Sequence, residues 1–181
     1  MLLEKSRQEI LRQRPIKLKE IIESTKAGPN PNSYDSTFHI HCSQQKNLQV
    51  VSQVKNHDVG MDEPPSLGGD GTAPNPVEIL LSAFAGCMEI NWIMYSSLHH
   101  LDLKRVEVEI HATIDKRFVF GSQYGVPARL SSITIISHLF TNEPRDKVDR
   151  VFKKVHEICP VGGSLHPEIQ KKYELVFHPV D

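Results

Sequence analysis

The reading of this chain turns on residues 76–98, PVEILLSAFAGCMEINWIMYSSL, its longest apolar segment. Asn75 is suited to cap a helix there and Pro76 to fill its first position, so the segment is expected to be a helix. Glu78 then falls in the first turn, where a negative charge is favoured. Apolar residues run around nearly every side, through Ile79, Leu80, Leu81, Ala83, Phe84, Ala85, Met88 and Ile90. Such a helix must be covered on several faces, by the rest of the fold or by a second subunit. Cys87 stands at its centre beside Ala83, Ala85 and Gly86. Gly86 costs about 1 kcal/mol against alanine inside a helix, so it implies close packing or access. A membrane span needs about 20 apolar residues, and Glu78, Glu89 and Asn91 interrupt this run, so a buried core helix is expected.

Working outward, the flanks read as sheet. Residues 36–61 alternate in a way that predicts a meander of antiparallel strands, with Phe38, Ile40 and Cys42 on the core face and His39 and His41 opposite. Residues 62–75 form a Pro- and Gly-rich loop. Its GGDG has neither GxGxxG nor GK[ST], which argues against a phosphate cradle. Beyond the helix, Val106, Val108, Ile110 and Ala112 alternate with Arg105, Glu107, Glu109 and His111, as in a half-exposed strand. DKRFVFGSQYGVPA is a hairpin region or longer loop, and LSSITIISHLFT is a further strand. EPRDKVDRVFKKVHEIC predicts an amphipathic helix with Val148, Val151, Phe152, Val155 and Ile158 as its apolar stripe. Cys159 closes that helix, Pro160, Gly162 and Gly163 stop it, and KKYELVFHPV is the last strand. The plan is α+β, with antiparallel sheets packed around a long central buried helix. Residues 1–35 read as an N-terminal helical arm and residues 36–181 as the α+β domain.

The chain's 181 residues suffice for one domain with an appendage. A net charge of −1 argues against nucleic acid or an anionic membrane as partner. The three cysteines, Cys42, Cys87 and Cys159, are too few and too widely spaced for a disulfide framework. No CxxC occurs, and MLLEKSRQEILRQR has no apolar core, so neither a zinc knuckle nor a signal peptide is expected. A cytoplasmic setting follows as the default, with no cofactor or metal.

The chemistry available is thiol chemistry. Side-by-side packing of the two helices would bring Cys87 and Cys159 within disulfide reach. One thiolate would then attack a peroxide and the second would condense with the resulting sulfenic acid. The attacking thiol needs a cation or hydrogen-bond donors, and a carboxylate such as Glu78 would orient an arginine for it. Other readings of the same residues stay open. A lone cysteine in an apolar helix also serves as a small hydrophobe, and His39 and His41 could take a metal with a third ligand.

PNPVEILLSAFAGCMEI resembles the signature of the OsmC/Ohr family, the osmotically induced and organic-hydroperoxide-resistance proteins. EICPVGGSL resembles its second motif, a helix ending in Cys-Pro. The resemblance spans about residues 36–178. It implies an intertwined homodimer of OsmC-like fold that reduces organic hydroperoxides. Cys87 would be the peroxidatic thiol, Cys159 the resolving thiol and Glu78 the acid, with a dithiol of lipoyl type as reductant. In the hydroperoxide-specialised branch the acid stands one position earlier, where this chain has Val77. That branch draws its arginine from the early strands, whereas residues 36–61 here contain none. Lys46 and Lys55 lie there instead, and Arg117, Arg129 or an arm arginine of a partner subunit are the candidates to substitute. The alternative is an OsmC-like protein without turnover that binds a small apolar ligand at the dimer interface.

Overall fold

The computed structural model describes Glu20, Glu23 and residues 35–180; apart from those two glutamates and Asp35, the helical arm expected over 1–35 lies outside the described residues. The described chain divides into two compact units, residues 35–83 and 84–180, with the boundary inside the central helix.

The first unit is a three-stranded antiparallel sheet in the order β1-β2-β3, formed by His41–Lys46, Gln49–Val54 and His57–Met61. Asn47 turns the first hairpin with φ of 50°, a conformation asparagine tolerates better than most residues. The sequence placed Cys42 in a core with Phe38 and Ile40. The structure corrects this: Cys42 is exposed, and Phe38 and Ile40 are 80% and 52% exposed. The pairing starts only at His41, and β1 is an edge strand, so this end of the meander gains no second layer from its own sheet.

Asp62 anchors the Pro/Gly-rich loop that follows. It is 1% exposed and accepts bonds from both the backbone N–H and the hydroxyl of Thr72 at 3.0 Å. These bonds, the backbone one foremost, hold its carboxyl below the usual aspartate range. A short 3-10 turn at Pro65–Leu67 fills the loop. It leads to α1, Pro76–Leu98, which has the bounds the sequence predicts. Its start is a reciprocal capping box. Glu78 N–H donates to Asn75 Oδ1 at 3.0 Å, and Asn75 N–H donates to Glu78 Oε2 at 2.8 Å.

The second unit holds α1 from Phe84 onward, β4 (Arg105–Ile114), β5 (Leu130–Phe140), α2 (Arg145–Glu157), α3 (Pro160–Ser164) and β6 (Gln170–His178). Two 3-10 turns, Lys116–Phe120 and Ser122–Tyr124, occupy the long loop between β4 and β5. The sheet order is β4-β5-β6, and β6 runs parallel to β5. The expectation of antiparallel sheets holds for β1-β2-β3 and for β4-β5 and is corrected for β6 alone. The chain crosses over through α2 and α3 after β5, which returns it to the end where β5 began. Ile133, Ile135, Ser137 and Leu139 of β5 are buried, with Ile135 and Leu139 at 0% exposure. Trp92 of α1 donates its indole N–H to Ser137 Oγ at 3.0 Å and stacks on Phe152 of α2 with centroids 5.9 Å apart. Helices α1 and α2 therefore share one layer over this sheet.

Helix α2 ends at Glu157, earlier than the sequence reading that had Cys159 close it. Cys159 instead caps α3, a further helical turn through Pro160 and the two glycines that were read as a stop. Proline at the first position of α3 is the reason: it has no N–H to miss and its φ is set for a helix.

Candidate functional site

Phe84, Met88 and Trp92 recur every four residues on α1, and all three are fully buried. Cys87 lies on the flank of that face and is partly exposed. On α2, Val148, Val151 and Val155 form the buried stripe. The stripe sets the depth at which the chain leaves the helix, so Cys159 emerges buried, at 3% exposure.

The approach of α3 depends on Gly162. A Cβ added there would stand 2.9 Å from Phe84 Cε2, closer than real carbon contacts allow. With no side chain at 162, the turn rests on the Phe84 ring and carries Cys159 to α1. Cys159 Sγ accepts the Gly162 N–H at 3.3 Å, and Lys171 Nζ holds the Gly162 carbonyl at 3.0 Å from the other side. The result is a thiol pair: the Cys159 S–H donates to Cys87 Sγ with the sulfurs 3.1 Å apart. Both cysteines are free.

The two thiols are not equivalent. Burial pushes the Cys159 thiol up to about 11; the neighbouring Cys87 sulfur adds to this, and the Gly162 N–H opposes it. Cys159 therefore keeps its proton at neutral pH and presents it to Cys87. A second donor reaches the same sulfur. Asn91 lies one turn beyond Cys87 and is 7% exposed; its Nδ2 stands 4.0 Å from Cys87 Sγ and donates to Val155 O at 3.2 Å. Tyr173 of β6 belongs to this surround. Burial raises its phenol above the usual range, with Cys159 adding to the shift.

Of the residues singled out by sequence, the structure brings Cys87 and Cys159 together. The Glu78 carboxylate closes the capping box with Asn75 at the start of α1. Neither arginine offered as a substitute activator is recorded at Cys87. Arg117 forks onto Asp115, and Arg129 pairs with Glu168. Lys46 pairs with Asp70. Among the described residues no group of three His, Cys, Asp or Glu side chains forms a metal site, so His39 and His41 gain no third ligand. The residue missed by the sequence reading is Asn91. Its signal was an amide four positions after Cys87 in an apolar helix, the spacing that puts two side chains on one face.

The sequence matches the family of OsmC-like proteins over residues 69–174. A comparison with curated proteins finds no match. Among solved structures, the OsmC-like protein of Mycoplasma pneumoniae superposes with a TM-score of 0.69 at 12% identity, covering 79% of this chain and 98% of that one. The organic hydroperoxide resistance protein OsmC of Legionella pneumophila gives 0.60 at 16% identity, covering 78% and 99%. An organic hydroperoxide resistance protein of Elizabethkingia anophelis, with thiocyanate bound, gives 0.62 at 13% identity, covering 80% and 99%. At these identities the structures speak for the fold. They agree with a sequence match that spans more than half of the chain, and the chain belongs to the OsmC-like protein family.

Proposed function

We propose that this protein is a thiol peroxidase that reduces organic hydroperoxides through Cys87 and Cys159. The observation that carries the reading is the thiol pair itself, two free sulfurs 3.1 Å apart with the buried one donating its proton to the more exposed one. Membership of a family that includes organic hydroperoxide resistance proteins supports it.

In the first step the Cys87 thiolate attacks the O–O bond of the hydroperoxide. An S–O bond forms and the O–O bond breaks. The alkoxide leaves, takes a proton from water and departs as the alcohol, and Cys87 becomes a sulfenic acid. In the second step Cys159 sulfur attacks the sulfenic sulfur. The S–S bond forms, and the hydroxide leaves with the Cys159 proton as water. A dithiol of lipoyl type then reduces the disulfide by thiol exchange. Thiolate formation at Cys87 draws on hydrogen-bond donors, the Cys159 S–H and the Asn91 amide. Glu78 enters as a positioning residue that fixes the start of the helix carrying Cys87. The apolar residues along α1 favour alkyl or lipid hydroperoxides over hydrogen peroxide. A homodimer in the cytoplasm is part of the proposal: Ile90 of α1 is 58% exposed in the single chain, an apolar surface a second copy would cover.

The test is to add cumene hydroperoxide to reduced protein carrying Cys42→Ser and to count free thiols. Loss of both remaining thiols, prevented by Cys87→Ser, is the expected result. Survival of both thiols in excess peroxide would sink the peroxidase and leave the ligand-binding alternative.

A further inference from the structure

Asn91 is placed to do two things at once. An asparagine amide carries two protons on one nitrogen. One goes to Val155 O at 3.2 Å, and the nitrogen also stands 4.0 Å from Cys87 Sγ, the outer reach of a hydrogen bond to sulfur. The carbonyl it meets matters. The backbone ladder of α2 runs out with Ile158 N–H on Lys154 O. Val155 O is the next carbonyl, one of the last-turn groups that a helix cannot satisfy from its own backbone. The Asn91 side chain satisfies it from α1. Four residues after Val155 comes Cys159, buried and donating to Cys87. One amide therefore fixes the end of α2 against α1 at the point where the two thiols meet.

We propose that Asn91 is the positioning residue of the thiol pair: one amide proton pins the end of α2, and hence Cys159, to α1, and the other stabilises the thiolate at Cys87. The inference rests on the thiol-peroxidase reading for its purpose, but its geometry is independent of the oxidant. Aspartate in place of Asn91 keeps the shape and removes both donors. It also sets a negative charge beside the sulfur that must become negative. Serine keeps a single donor on a shorter side chain that cannot serve both partners.

The experiment uses the full chain with Cys42→Ser and compares Asn91→Asp and Asn91→Ser with the parent. Two readouts avoid hydroperoxide altogether: the pH profile of Cys87 alkylation by iodoacetamide, and the rate at which the Cys87–Cys159 disulfide closes in glutathione buffers. In Asn91→Asp, Cys87 alkylation at pH 8 is expected to slow by about tenfold, the change made by one pH unit of thiolate population. Its profile moves to higher pH, and the disulfide closes more slowly in those buffers, because Cys159 is held less firmly against Cys87 and less of Cys87 is thiolate. If Asn91→Asp does not fold, Asn91→Ser carries the test with the same direction expected. A folded variant with the parent's alkylation profile and rate of disulfide closure overturns the proposal, because Asn91 would then only satisfy Val155. A parent that closes its disulfide in glutathione yet ignores cumene hydroperoxide would instead remove the peroxidase reading and leave this one standing.

Discussion

Cys159 donates its S–H to Cys87 across 3.1 Å, and burial sets the two sulfurs apart in reactivity. The donor is buried and held up to about 11; the acceptor reaches solvent. Iodoacetamide at pH 8 is therefore expected to label exposed Cys42 and then Cys87, with Cys159 last. Cys159 should gain reactivity only as pH climbs toward about 11. Mass spectrometry of timed peptides reads this directly. Equal labelling of Cys87 and Cys159 at pH 8 would contradict the asymmetry.

The same shift fixes a sign for alkaline stability. The thiol's ordinary value is 9.0 and the folded value is about 11, so between them the unfolded chain releases a proton that the native chain keeps. Stability from Cys159 is full below about pH 9 and is lost as pH rises through about 11. Tyr173 is shifted in the same direction and adds to the decline. Urea melts from pH 8 to 11 should fall more steeply for the parent than for Cys159→Ala. Parallel slopes in the two proteins would mean that another group drives the loss.

Gly162→Ala tests how α3 is seated. The new methyl would sit 2.9 Å from Phe84 Cε2 and 3.5 Å from Cys159 Sγ, and the Phe84 ring is fully buried. Overpacking of this kind costs about 1–3 kcal/mol. The turn should be pushed off α1, which slows disulfide closure as well as lowering the melting temperature. Phe84→Leu in the same chain makes room and should restore part of both. If Gly162→Ala closes its disulfide at the parent rate, the contact does not set the sulfur distance.

The central helix was legible because its signals are local: a capping asparagine, a first-turn proline and 23 residues of unbroken helical potential. The amphipathic α2 was legible for the same reason, since Val148, Val151 and Val155 repeat with the helix itself. What failed was set by distant residues. Nothing in STFHIHCS says that the strand begins at His41 and lies at a sheet edge, so alternation alone placed Cys42 inside. The parallel register of β6 depends on the path of a crossover that no local pattern encodes. At the site, the two thiols could be paired from their positions on helices. The surroundings of the pair could not: an amide beside a sulfur has no motif, and Asn91 meets both Cys87 and Val155 O only once α2 packs on α1.

The end of α1 gives a last prediction, on stability alone. Leu101 N–H bonds to Ser96 O at 2.8 Å and His100 N–H to Ser97 O at 3.3 Å, the paired bonds that close a helix through one left-handed residue. That residue is His100, with φ of 52°, where glycine is the usual occupant. A side chain in this conformation costs about 1–2 kcal/mol. Glycine's extra freedom in the unfolded chain takes back about 0.4–1 kcal/mol. The His100 side chain is exposed, and its carbonyl, which accepts from Lys147 Nζ at 2.8 Å, survives the change. His100→Gly should therefore raise stability by up to about 1.6 kcal/mol and leave thiol reactivity untouched. A melting temperature at or below the parent's would show that the imidazole itself supports the turn.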